Sequence, residues 1–186
     1  MKKLLPPLIL VMSFFGFLAV QSIWDMSRSN AQNVNAENSK DQMFESLYQE
    51  IKLTTIDQVL IEPKSLTTPI VVINFWASWC LPCLKEFPSL VELKNRYKGR
   101  ITVIGINGDE EEPLKAVEKM KTKFKLDFHH VIDPDSAISD KFLVTSYPFS
   151  LIYVKGKLIH TSMKGVDFVG EEILKKINSG LKDSKP

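Results

Sequence analysis

The only cysteines in the 186 residues are Cys80 and Cys83, with Leu81 and Pro82 between them. Two sulfurs three positions apart can reach each other across one helical turn. Four chemistries are open to such a pair: reversible thiol–disulfide exchange, a static bridge, half of a metal site, or none. A bridge this short ties no distant segments together and adds little stability. A zinc site lacks its other half, because His129, His130 and His160 stand far along the chain without zinc-ligand spacing. Redox exchange has the positive support, and it comes from the residues around the pair.

Ile70-Val71-Val72-Ile73 follows Pro69 as an unbroken β-branched run, which is how a strand buried on both faces reads. Downstream, Leu84, Phe87, Leu90, Val91 and Tyr97 recur at helical spacing. A strand therefore delivers two cysteines to the first turn of a helix. Unpaired N–H groups and the positive end of the dipole there favour a thiolate over a thiol. A Cys-X-X-Cys so placed can have a pKa well below the free value of about 8.5. Cys80, at or just before the first turn, is the more exposed and attacking sulfur. Cys83, deeper, resolves the mixed disulfide. Pro82 suits an early helical position, where its missing N–H costs nothing. Pro88 lies inside the helix and should kink it.

The run Phe75-Trp76-Ala77-Ser78-Trp79-Cys80-Leu81-Pro82-Cys83-Leu84-Lys85-Glu86-Phe87-Pro88 resembles the active-site segment of the thioredoxin superfamily. It is most similar to the extracytoplasmic TlpA/ResA-type thiol-disulfide oxidoreductases, which include reductases of cytochrome c maturation. The resemblance spans about residues 50–180. It implies a thioredoxin-like α/β fold, with a central mixed β-sheet flanked by helices and an N-terminal β-hairpin. It also implies no cofactor beyond the Cys80–Cys83 disulfide and no metal. Thioredoxin has a buried Asp where this chain has Asn74, and the pattern offers Glu86 as the substitute proton acceptor for Cys83. A carboxyl shielded by Phe87 and Trp79 would have a raised pKa; the plain alternative is an exposed helix-surface Glu. Tyr147-Pro148 resembles the family's cis-proline loop, which faces the cysteines and holds the substrate backbone like an added strand. On the residues alone, a trans-proline opening a strand reads equally well. Ser146 and Phe149 depart from the small Gly and the Thr common beside that proline. Trp79, Pro82, Tyr147 and Pro148 are the expected substrate contacts.

Charge excludes one class of partner. The net charge is +2, yet from Gln32 onward basic and acidic residues balance at 21 each. Nothing there favours nucleic acid or an acidic partner, and docking by shape and apolar contact is expected. Lys2 and Lys3 precede an uncharged stretch, Leu4 to Trp24, long enough as a helix to span about 31 Å. Residues 1–24 are therefore expected to be a signal-anchor, with residues 25–41, rich in Asn and Ser, as a flexible linker. Residues 42–186 are then a thioredoxin-like domain held at the cell membrane by a single pass. The two lysines keep the N-terminus cytoplasmic and send the domain to the extracytoplasmic (periplasmic) side. The alternative is a cleaved signal peptide, after Ser29-Asn30-Ala31, and a secreted or periplasmic protein.

The rest of the chain alternates strand and helix, the pattern of a parallel α/β core. Met43 to Ile51 reads as a short helix or turn, and Glu50–Ile56 with Gln58–Ile61 as a hairpin. Ile101–Ile106 is a second buried strand. Glu110 to Glu112 with Pro113 starts a helix whose apolar side is Leu114, Val117, Met120 and Phe124. Phe128–Ile132 is a strand that points His129 and His130 to opposite faces, which disfavours one ion on both. A short helix is expected through Ala137 to Leu143, then strands either side of Lys155-Gly156-Lys157. A last helix is expected over Gly170–Ser179, with Gly180 as its stop.

The expected activity is protein-disulfide reduction on exported proteins. Resemblance suggests apocytochrome c as a client and a membrane protein as electron donor. Two other classes are weighed. A redoxin-type peroxidase usually carries Pro-X-X-X-Thr-X-X-Cys, and Ile73 and Ala77 stand where that proline and threonine would be. A non-catalytic binding module or metal carrier rests on the cysteine pair and the anchor alone.

Overall fold

The computed structural model describes residues 21–28, 32 and 38–182. The chain divides between Met43 and Phe44 into two units. In the first, residues 21–28 are helical, with the Arg28 guanidinium 5.7 Å over the Trp24 ring. Except for residues 21–24, the expected signal-anchor lies outside the described residues. Among those described, no helix is long and apolar enough to cross a membrane. Residues 38–50 are helical and are called α1 here; residues 33–37 of the expected linker lie outside the described residues.

The second unit is built on a five-stranded sheet in the order β5-β4-β3-β6-β7. The central strand β3 (Ile70–Trp76) is buried at every position. It pairs parallel with β4 (Ile101–Asn107) and antiparallel with β6 (Phe149–Val154). The edges are β5 (His129–Ile132), parallel to β4, and β7 (Lys157–Ser162), antiparallel to β6. A separate hairpin of β1 (Leu53–Thr54) and β2 (Leu60–Ile61) donates Ile56 N–H to the His130 carbonyl, at 2.8 Å. The expected mixed sheet and hairpin are both present, the hairpin strands shorter than the sequence pattern implied.

Alternation along β3 divides the core. Val71, Ile73 and Phe75 share a face with Tyr153 and Phe149. Phe44 and Tyr48 from α1 cover that face, along with Phe142, which follows α4 (Ala137–Lys141). Ile70, Val72 and Trp76 take the other face with α2 (Leu81–Arg96), α3 (Pro113–Phe124) and α5 (Glu171–Lys182). Phe87 of α2 meets Trp76 edge-on at 5.2 Å and Phe124 of α3 at 5.3 Å. Asn74 belongs by alternation to this second face, a polar group in an apolar wall.

Two expectations about helices, at Leu114 and Gly180, are corrected. Leu114 is exposed, leaving Val117 and Met120 as the buried residues of α3. Pro88 lies inside helix α2, as expected, and faces solvent. Gly180 does not stop the last helix; α5 runs on to Lys182. A Cβ at Gly180 would stand 3.1 Å from Val154 Cγ1. The glycine is there because the helix packs closely on β6, and close approach leaves the same mark in a sequence as a helix stop.

Candidate active site

Strand β3 ends at Trp76, and Ala77-Ser78-Trp79 turns the chain into α2. The turn is closed by Cys80 N–H donating to the Ala77 carbonyl, at 3.1 Å. Cys80 is the N-cap of α2, and its Sγ accepts a hydrogen bond from Cys83 N–H at 3.2 Å. That N–H belongs to the third helical residue, so the sulfur occupies the place where a capping oxygen normally sits. A thiolate there receives an oriented donor as well as the helix dipole. Cys80 and Cys83 form a disulfide, with Cα atoms 5.3 Å apart. In this oxidised state both are buried; Cys80 retains 4% exposure and Cys83 none. Cys80 is thus the outer sulfur, but only a narrow rim of it is open to a client.

Glu86, one turn beyond Cys83, is buried, not a surface residue. Its Oε1 accepts from Asn74 Nδ2 at 2.7 Å and its Oε2 from Val166 N–H at 2.8 Å. Asn74 Nδ2 also donates to Ser150 Oγ at 3.0 Å, its cross-strand partner on β6. Two neighbouring strands therefore present a polar pair to the helix, and the carboxyl fits onto it. The shield differs from the expected one. Trp79 is 69% exposed with its ring against Tyr147, while Asn74 and the loop at Val166 hold the carboxyl. Burial raises the Glu86 pKa to about 7, against the Val166 and Asn74 hydrogen bonds, which favour the ionised form. A cavity of about 360 Å³ lined by Pro82, Lys85, Ser89 and Gly165 reaches Glu86 and gives its proton a route to solvent.

The Tyr147–Pro148 bond is cis, as the resemblance implied. Phe149 pairs with Phe75, so Pro148 comes just beyond the paired end of β3 beside the redox turn. Pro148 is buried, whereas Tyr147 is half-buried with its ring centroid 5.9 Å from that of Trp79. The structure thus brings Trp79 and Tyr147 together. Pro82 is exposed and lines the cavity that reaches Glu86. Among the described residues no group of three or more His, Cys, Asp or Glu side chains is placed to hold a metal. His129 is exposed and His130 buried, on opposite faces of β5.

His130 and Glu86 give the fold a distinctive response to pH. Burial pushes His130 down to about 4 from an ordinary 6.5, while Glu86 rises from 4.5 to about 7. The depressed histidine gives stability that is present above pH 6.5 and lost as pH falls through 4. The raised carboxyl gives stability that is present below pH 4.5 and lost as pH rises through 7. Between pH 4.5 and 6.5 the slopes oppose, each approaching about 1.4 kcal/mol per pH unit. Oxidised Glu86→Gln keeps only the histidine slope, so its stability to urea should climb with pH across that window more steeply than the wild type's. Parallel urea midpoints for the two proteins over pH 4.5–6.5 would contradict this.

A redox turn at a helix N-terminus, a cis-proline beside it and a mixed five-stranded sheet define a thioredoxin-like thiol-disulfide oxidoreductase. The chain belongs to the AhpC/TSA family, whose profile matches residues 46–161. It is 30% identical over 136 residues to the thiol-disulfide oxidoreductase ResA of a Bacillus cereus strain, an overlap of 72% of this chain and 74% of that one. Two solved structures share the fold. A secreted Mycobacterium tuberculosis disulfide oxidoreductase homologous to E. coli DsbE superposes with a TM-score of 0.59 at 21% identity, covering 71% of this chain and 97% of that one. StoA from Bacillus subtilis superposes with a TM-score of 0.55 at 22% identity, covering 69% and 95%.

The residues around the cysteines that sequence reasoning passed over are Ser150, Val166, Gly108 and Asp109. Ser150 reads as a polar position in a strand and Val166 contributes only its backbone, so neither carries a signal. Asn107-Gly108-Asp109 falls between the strand and the helix expected on either side, with nothing local to show that it touches the redox loop.

Proposed function

We propose that this protein is a membrane-tethered reductase of disulfides in exported proteins, with Cys80 as the attacking sulfur, Cys83 as the resolving sulfur and Glu86 as the proton acceptor. The observation that carries the mechanism is the buried carboxyl of Glu86, on the helix whose N-cap is Cys80. In the reduced protein the Cys80 thiolate attacks one sulfur of a client disulfide, forming a mixed disulfide and expelling a client thiolate, which takes a proton. Cys83 gives its proton to Glu86 and attacks Cys80 Sγ, expelling the second client thiolate. Two electrons pass to the client and the Cys80–Cys83 bond closes. A carboxyl with a pKa of about 7 holds and releases a proton readily near neutral pH.

Trp79, Tyr147 and the backbone at Pro148 receive the client segment, while the charge-balanced domain adds no electrostatic preference. The uncharged stretch from Leu4 to Trp24 tethers the domain outside the cytoplasm, and a membrane protein returns the electrons. A client such as apocytochrome c follows from the resemblance of the active-site segment to the TlpA/ResA-type proteins. Ile73 and Ala77, in place of a proline and a threonine, leave the peroxidase reading without its pattern.

The reduced protein should therefore reduce a peptide closed by one disulfide, one per Cys80–Cys83 pair, and consume hydrogen peroxide far more slowly. Rapid stoichiometric peroxide consumption with an inert peptide would reverse the assignment.

A further inference from the structure

The turn that ends β4 holds both sides of the redox site, and neither contact belongs to the chemistry assigned above. Asp109 is buried, and its carboxylate is directed at the loop before Cys80. Its Oδ2 accepts from Ser78 N–H at 2.9 Å and its Oδ1 from Ser78 Oγ–H at 2.8 Å. Asn107 Nδ2 also donates to Oδ2, at 2.6 Å. The turn is itself fastened on both flanks. Gly108 N–H donates to the Trp76 carbonyl at 2.9 Å, and the Asn107 carbonyl accepts from Asp133 N–H at 2.8 Å. A carboxylate with three donors in a buried site is a stiff brace. It fixes Ser78, and through Ser78 the adjacent Trp79.

On its other side the turn meets the cis-proline loop. A Cβ on Gly108 would overlap the Tyr147 hydroxyl and stand 2.6 Å from Tyr147 Cζ and 3.1 Å from Cε2. Real Cβ atoms do not come as close as the hydroxyl oxygen and Cζ would be, so the Tyr147 ring would have to move. The absent side chain is therefore the seat of the Tyr147 phenol. Ser139 Oγ, itself donating to Asp133, lies 3.5 Å from the same hydroxyl. Seated there, the Tyr147 ring is tilted against exposed Trp79. The two rings form one aromatic wall whose position depends on Asp109 at one end and Gly108 at the other.

We propose that the 107–109 turn is the specificity element of this site. Gly108 and Asp109 act as positioning residues that set the Trp79–Tyr147 wall, and the wall takes an apolar side chain flanking the client's cysteine. The inference rests on the exchange reading given above and goes further than it. It assigns discrimination between a polypeptide disulfide and a small one to residues that touch neither sulfur. Gly108→Ala displaces the Tyr147 ring and leaves Cys80, Cys83 and Glu86 as they are.

The test is a double-mutant cycle on the full-length reduced protein, with two substrates: a synthetic peptide with leucines flanking the cysteines of its one disulfide, and bis(2-hydroxyethyl) disulfide. Gly108→Ala should raise KM for the peptide at least about tenfold more than KM for the small disulfide, since misplacing a binding group by about 1 Å can cost 10²-fold. Tyr147→Ala, which introduces no clash, should raise the peptide KM similarly, and Gly108→Ala added to it should raise KM no further. Equal effects of Gly108→Ala on both substrates would overturn the proposal. So would a Gly108→Ala effect that persists undiminished in the Tyr147→Ala background. A wild-type protein that reduces neither substrate would instead overturn the exchange reading on which the proposal rests.

Discussion

Cys83→Ser should abolish turnover and leave the client covalently attached to Cys80. The resolving thiol sits one helical turn from the sulfur it attacks, with Cα atoms 5.3 Å apart in the closed disulfide. Well-oriented intramolecular groups act at effective molarities of about 10⁵ M or more. A millimolar external thiol cannot replace that, so turnover should fall by at least about 10³-fold. The mixed disulfide then accumulates and is visible by mass as one client per protein, released by added dithiol. Cys80→Ser should trap nothing, because Cys83 has no exposed surface. The asymmetry between the two variants is the specific result. Equal trapping through either sulfur would contradict the division of roles, since it requires a client to reach a residue buried in the core cluster.

Glu86→Gln should slow resolution by roughly 10²-fold near neutral pH, the usual scale for loss of a positioned proton acceptor. The side chain keeps its shape. A Gln oxygen can still accept from Val166 N–H; its amide then faces Asn74 Nδ2, and a flip of the Asn74 amide turns Oδ1, which is buried without a partner among the described residues, to accept from it and from Ser150 Oγ–H. The fold therefore survives and the change falls on protons alone. Above the pKa of the Cys83 thiol the defect should shrink, because Cys83 then ionises without help. Stopped-flow measurement of the resolution step from pH 6 to 10 reads this directly. A rate equal to wild type throughout would reduce Glu86 to a packing residue. Asn74→Ala offers a further check, since it removes a donor to the ionised carboxylate and should move the kinetic midpoint to higher pH.

Most of the scaffold was legible because its signals are local. The β-branched run at Ile70, the helical spacing from Leu84 and the turn at Lys155-Gly156 each declare one element. The Cys-X-X-Cys was legible for the same reason: strand, turn and helix N-terminus are contiguous. What escaped depends on the sheet register. Asn74 meets Ser150 only because β3 pairs antiparallel with β6, although the residues are 76 apart. The Asp109–Ser78 brace needs β4 beside β3 in parallel register. Gly180 was misread because a glycine required by close packing and one required by a helix stop are the same letter. Trp79 was expected to shield Glu86 and does not, since sequence proximity says nothing about which side of a turn a ring takes.

The measurement that bears most directly on the reductase assignment is the reduction potential of the Cys80/Cys83 pair, by equilibration against glutathione or dithiothreitol at pH 7. A protein that delivers electrons to exported disulfides must hold them more weakly than its clients do once reduced, and therefore sits well below the oxidants of its compartment. The expected value is as reducing as the glutaredoxins or thioredoxin, roughly −200 to −270 mV. A value near −120 mV, about that of a strong disulfide-forming oxidant, would reverse the direction of electron flow and contradict the account.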